Sequence, residues 1–324
     1  MANGPGRGPV RACGPGNRSE FAIHSITFPS SQRTTTPSCE LCRPFLGLAM
    51  SISPFLLSTM LLLSSTQSLA ESFRFDLSPN QPLPAIFSRS SNSYLIALKM
   101  QYELNEVVKG RTSDFERVLS IAHWTSTRWR HNGENTPQHS DPISILDEAT
   151  TGKQFRCVEY AIVLAGALGA VGYPARVVGL MMADVETRSS GAGHVVTEVY
   201  LADLGKWVMV DGQWDVVPLV SGVPASAAEL AQAITANPKY LSTESFSSID
   251  AADYFKWIKP YLYYFTASLD NTYDSPRSRQ AIRLAPLGAK EPRVFQRKYP
   301  MQPALFTHNV STFYPAPTFV DETK

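Results

Sequence analysis

Net charge is all but missing from this 324-residue sequence, in which 29 Lys and Arg face 28 Asp and Glu for a formal +1. A dedicated nucleic-acid binder carries a basic excess, so bulk charge implies no nucleic-acid partner. Cysteine is scarce too: four residues cannot build a disulfide scaffold, and Cys13, Cys39 and Cys42 all precede residue 71. The Cys39–Cys42 spacing has neither a helical context nor a second pair, and reads as chance. A metal set is also missing. His123, His131 and His139 recur every eight residues, but Gly133 and Pro137 prevent a shared helical face and no Cys or Glu completes a zinc spacing. No metal or organic cofactor is implied, and no internal repeat is visible.

What is present is a globular composition, 18% charged and 44% hydrophobic. The first 49 residues stand apart. Rich in Gly, Pro, Ser, Thr and Arg without periodicity, they read as disordered or as a mis-assigned start, with Met50 the alternative first residue. From Pro44 to Ala70 no residue is charged, and the apolar run 54–63 precedes small residues ending at Ala70. Residues 50–70 therefore read as a secretory signal peptide, an uncleaved membrane anchor being the alternative. Cleavage after Ala70 leaves 24 basic and 26 acidic residues, a net −2, and a single cysteine, Cys157. A periplasmic or secreted chain with one thiol leaves it buried, paired between molecules, or used.

Residues 71–112 form an N-terminal helical region, with apolar three-and-four spacing over 93–108 that Gly110 ends. A second helix starts at the Ser113–Asp114 cap and continues through 129, and a third runs from Pro142 to near Gly152. The segment 155–171 is apolar almost all round and rich in Ala and Gly, which marks a buried, closely approached helix. Strand patterns follow at 175–181, 194–201 and 206–210, so the fold class is α+β with an antiparallel meander. Residues 219–324 read as a helical and extended appendage, with helices over 226–233 and 251–269 and proline-rich chain beyond 286.

Cys157 falls in the first turn of the buried helix, where unpaired N–H groups and the helix dipole favour the thiolate, the nucleophilic form. His194 opens one strand and Asp211 ends the next, and two antiparallel strands joined by a short turn can bring them together. Thiolate, imidazole and orienting carboxylate are the acyl-transfer set. The oxyanion needs two donors: the Cys157 N–H is one candidate, and Gln154 or an upstream Trp the other.

The surrounding residues resemble the transglutaminase-like superfamily over roughly 113–218. The stretches are Gly152-Lys153-Gln154-Phe155-Arg156-Cys157-Val158-Glu159-Tyr160-Ala161, Gly172-Tyr173-Pro174-Ala175-Arg176-Val177-Val178, His194 with Glu198 and Tyr200, and Trp207 to Asp211. The resemblance implies a papain-like fold, its nucleophile helix packed on an antiparallel sheet, with Cys157, His194 and Asp211 as catalytic triad. Cross-linking members resemble a Gly-Gln-Cys-Trp pattern, whereas here Arg156 precedes and Val158 follows the cysteine, and Val196 stands where an aromatic is common. Hydrolysis or small-scale amide transfer is the expectation, of a peptide or peptidoglycan-like amide outside the cytoplasm. A protein-glutamine transamidase, or a non-catalytic envelope binding protein on the same fold, are the alternatives.

Arg176 and Glu198 are expected to form a supporting salt bridge. The run 254–265, seven aromatics in twelve residues, is expected in the core, with stacking on a substrate the alternative. Residues 276–298 hold seven basic residues and one acid, Glu291, a solvated face or a contact for an anionic envelope surface.

Overall fold

The computed structural model describes residues 73–273 and 280–320. The expected stretches 1–49 and 50–70, with the three early cysteines, lie outside the described residues, as does part of the basic stretch.

Alternating burial builds the centre of the molecule. On the strand Gly193–Leu201, Val195, Val199 and Leu201 join one apolar cluster while Val196 joins another. On Lys206–Val210, Val208 and Val210 join the first, and Trp207 and Met209 the second. The period of two sends neighbours to opposite faces, and both faces are covered, which is why these strands read as nearly continuous apolar runs. They belong to a six-stranded sheet in the order Leu305–Thr307, Ala281–Leu284, Tyr264–Ser268, Ala175–Met181, Gly193–Leu201, Lys206–Val210. Every pairing is antiparallel except that of the first two strands.

The helix Cys157–Ala170 lies against the strand Gly193–Leu201, where Thr197 Oγ1 donates to the Ala161 carbonyl at 3.0 Å. It is buried along almost its whole length by the helices Ser93–Gln101, Asp114–Ser126 and Pro142–Thr150. Gly166 permits one of these approaches: a Cβ there would meet Pro142 Cγ at 2.4 Å. The arrangement is α+β, a buried helix on an antiparallel sheet. The second face is covered by Ala227–Ala236, Ala251–Ile258 and the short helix Val310–Phe313.

Several sequence expectations change. The helix expected over 93–108 is broken, because Glu103 takes φ = +50° and separates Ser93–Gln101 from Leu104–Val107. The region 71–112 also contains the strand Ala85–Phe87, which pairs in parallel with Pro317–Phe319 and Asp270–Asn271. The second helix stops at Ser126, three residues short of 129. The helix expected over 251–269 ends at Ile258. Pro260 sits in a 3₁₀ turn, Lys259–Tyr261, and the chain then becomes the strand Tyr264–Ser268. Residues 219–324 are thus no appendage, since they supply three of the six central strands.

The expected Arg176–Glu198 bridge forms across the register pair of two central strands, at 2.8 Å and without exposure to solvent. Arg176 is enclosed by the rings of Trp207, Phe313 and Tyr314 at 4.5, 4.7 and 5.1 Å and donates to the Phe313 carbonyl. Glu198 Oε1 accepts from the Ala227 N–H and the Tyr314 hydroxyl. The pair therefore anchors the C-terminal segment to the sheet. Removing one partner strands a buried charge, so Glu198→Ala is expected to lose about 3–5 kcal/mol in urea unfolding. A loss below about 1 kcal/mol would contradict this role.

Candidate active site

Cys157 occupies the first position of its helix and is 6% exposed. Glu159, two residues on, accepts from the Arg156 N–H at 3.1 Å and pairs with the Arg156 guanidinium at 2.6 Å, all within the protein interior. Arg156 thereby neutralises the one carboxylate in the helix's first turn. The helix dipole at the first position is therefore not opposed by an uncompensated carboxylate beside it.

His194 and Asp211 are both buried, and His194 Nε2 lies 2.8 Å from Asp211 Oδ2. That contact leaves the other ring nitrogen, Nδ1, for a second partner, and Cys157 is close enough to influence the ring. Burial, the largest influence on His194, pushes its pKa down. The charge and hydrogen bond of Asp211, with the contact to Cys157, outweigh it and raise the value from 6.5 to about 10. The structure thus brings Cys157, His194 and Asp211 together.

Asp211 is held by a tight loop closed through two hydrogen bonds, Asp211 N–H to the Val216 carbonyl at 2.8 Å and the reverse at 3.2 Å. Its Oδ1 accepts the N–H groups of Gln213 and Trp214, and its Oδ2 also accepts the Tyr254 hydroxyl at 3.1 Å. Gly212 lets this loop approach the helix Cys157–Ala170, since a Cβ would meet Leu164 Cδ2 at 3.0 Å. Tyr254 stays a phenol: burial, then the Asp211 charge and hydrogen bond, raise its pKa well above the usual 10.

The aromatic run 254–265 is divided between two roles. Tyr254, Phe255 and Phe265 are core, whereas the rings of Trp257 and Tyr261 stand 4.8 and 6.0 Å from that of His194, and Trp214 packs on Trp257 at 5.0 Å. Burial and then the nearby Cys157 raise the Tyr261 pKa. At the rim, lost hydration and then the His194 charge lower that of His131. Sequence reasoning missed Tyr254 as a partner of Asp211 and His131 as a neighbour of His194. The aromatic density of 254–265 was the available signal for the first, and no local pattern marked the second.

Gln154 is half-buried on the approach to Cys157, its carbonyl accepting from Asn135 Nδ2 at 2.8 Å. Trp129 lies against Phe155 and Tyr160, and its buried Nε1 has no hydrogen-bond partner. Glu198 sits four residues along the strand from His194, about 13 Å at strand spacing, so it and Arg176 support the sheet rather than touch the three site groups. The spaced histidines separate: His123 pairs with Asp215 at 2.8 Å, and His131 lies within reach of the His194 charge. Among the described residues no group of three or more His, Cys, Asp or Glu gathers to hold a metal.

The family model described as the transglutaminase-like superfamily matches residues 103–212. This stretch is transglutaminase-like. The transglutaminase-like segment begins ten residues before the expected boundary at 113 and ends just after Asp211, so it contains all three site groups. Matching solved structures include a candidate cysteine protease from Cytophaga hutchinsonii, 17% identical, with a TM-score of 0.30 over 55% of this chain and 57% of that one. The chain thus spans a little over half the length of that solved relative. No curated protein matches.

His194 carries the pH dependence expected of this segment. Its folded-state pKa lies above the ordinary 6.5, so the stability its proton contributes is fully present below about 6.5 and is lost as pH rises through about 10. The unfolding free energy of the wild type minus that of His194→Gln should therefore fall between pH 6 and 10. A difference that is flat or rises over that range would contradict the assignment.

Proposed function

We propose that this chain is an exported, thiol-dependent amide hydrolase or acyltransferase acting through Cys157, His194 and Asp211. The observation that carries the reading is the 2.8 Å His194–Asp211 contact beside a thiol at a helix N-terminus, all within the transglutaminase-like segment. Residues 50–70, read as a signal peptide, support export. No helix among the described residues is long and apolar enough to cross a membrane.

Cys157 Sγ attacks the amide carbonyl, and the leaving amine departs with the proton held by His194. Water, or a second amine, then gives a proton to His194 and attacks the thioester, releasing the acyl group and restoring the thiolate and imidazolium. Asp211 holds the ring in one orientation and balances its charge through both steps. The Cys157 N–H is one oxyanion donor. Of the two candidates for the other, Trp129 is favoured over Gln154, because its Nε1 is an unpaired donor packed on the residues flanking the cysteine.

A peptide or peptidoglycan-like amide is the substrate class that export would select. Contact with an anionic envelope surface through 276–298 has weaker support. Arg283 in that stretch is buried, pairs with Glu291 and donates to Thr266 Oγ1, and Arg297 donates to the Thr187 carbonyl.

Mass spectrometry after exposure to p-nitrophenyl acetate tests the chemistry. One acyl group is expected on Cys157, none in Cys157→Ala, and acylation slower by about a hundredfold or more in His194→Ala. Trp129→Phe should slow it by about a hundredfold and Gln154→Ala far less. Acylation that survives Cys157→Ala at an unchanged rate would sink the proposal.

A further inference from the structure

The loop that holds Asp211 carries a second buried carboxylate at its other end. Asp215, 3% exposed and with φ = +56°, accepts from Ser247 Oγ at 2.7 Å and lies 2.8 Å from His123 Nδ1. His123 is 42% exposed, and it opens onto a groove of about 440 Å³ that contains none of Cys157, His194 and Asp211.

The groove combines flat apolar walls with unbalanced positive charge. Arg128 lies 4.9 Å over the ring of Trp124, and Arg111 lies 5.4 Å over that of Phe246, itself half exposed. Arg128 is further oriented by hydrogen bonds from Nε to the Trp124 carbonyl and from Nη2 to Thr127 Oγ1. Among the described residues neither guanidinium forms an ion pair with a carboxylate. The acids on the adjoining elements make their hydrogen bonds elsewhere, and Glu116 acts on Arg111 only through its charge. Asp215 is held by His123 and Ser247, while Glu116 accepts from the Thr112 N–H, the Thr112 hydroxyl and the Ser113 N–H at the start of its helix.

Guanidinium groups stacked on aromatic faces are pre-oriented, and their outward N–H edges match the planar fork of a carboxylate. The aromatic walls suit an apolar or ring-bearing body on the same molecule, and the volume lies in the small-ligand range. We propose that the groove between Trp124 and Phe246 binds an organic carboxylate with an aromatic body, its carboxylate held between Arg111 and Arg128 and its ring between the two walls. His123, fixed by Asp215, contributes a third polar group at the floor. The proposal stands independently of the thiol chemistry, because neither arginine nor either wall touches the three site groups.

The carboxylate could be the C-terminus of a peptide or a free aromatic acid, and both share this recognition chemistry. Amide and side-chain nitrogen NMR shifts of the full chain are followed on titration with N-acetyl-phenylalanine, N-acetyl-phenylalaninamide and 3-phenylpropanoate. The expected result is a saturable shift of the Trp124 indole and the Arg111 and Arg128 Nε signals with N-acetyl-phenylalanine. The amide, which lacks the charge, should bind at least about tenfold more weakly. Binding of 3-phenylpropanoate as tight as that of N-acetyl-phenylalanine would identify a free acid as a sufficient ligand, and weaker binding would identify a peptide terminus. Arg111→Gln and Arg128→Gln, made singly on exposed positions, should each weaken binding about tenfold with an unchanged melting temperature. Equal affinity for acid and amide, no saturation at millimolar ligand, or affinity unaffected by either substitution would each overturn the proposal.

Discussion

Asp211 lies with no exposure to solvent among four donors: His194 Nε2, the Tyr254 hydroxyl and two backbone N–H groups of its own loop. A carboxylate in that position is tolerable only because it is fully hydrogen-bonded and faces a cation. The dependence runs both ways, because the same carboxylate overcomes the burial that would otherwise strip the proton from His194. The helix Cys157–Ala170, the sheet edge and the helix Ala251–Ile258 must all be in place for that contact to exist.

The C-terminal third is therefore part of the site. The helix Ala251–Ile258 brings Tyr254 to Asp211 and Trp257 to His194, and the strand Tyr264–Ser268 pairs with Ala175–Met181 at the middle of the sheet. The caged Arg176–Glu198 pair fastens Phe313 and Tyr314 to the same sheet from the other end. The family match stops at residue 212, so the elements that complete the hydrogen bonding of Asp211 come from outside the matched segment. This gives a physical reason for a chain with a short family-matched segment to carry a long remainder that folds onto it.

Much of the centre was legible because local pattern and tertiary role agree there. The strands Ala175–Met181 and Lys206–Val210 have the bounds that their β-branched runs imply, and Pro142 and Ser113 mark helix starts through elementary capping chemistry. Cys157, His194 and Asp211 were readable because their residue types and order carry chemical meaning. The run after Tyr254 departs from the expected helix because dense aromatics suit a helix and a strand equally, and Pro260 divides the two. Parallel pairing of Ala85–Phe87 with Pro317–Phe319 joins chain ends more than 200 residues apart and leaves no local signal. The partners of Asp211 beyond His194, and the His123–Asp215 pair, arise only once distant elements pack.

The central claim is that a buried Asp211 keeps His194 protonated beside the Cys157 sulfur at neutral pH. Nitrogen-15 NMR of histidine-labelled protein reads this directly. At pH 8 the wild type should show His194 protonated on both ring nitrogens, and Asp211→Asn should show a neutral ring with one protonated nitrogen. A neutral His194 at pH 7 in the wild type, or an imidazolium that persists in Asp211→Asn, would contradict the account.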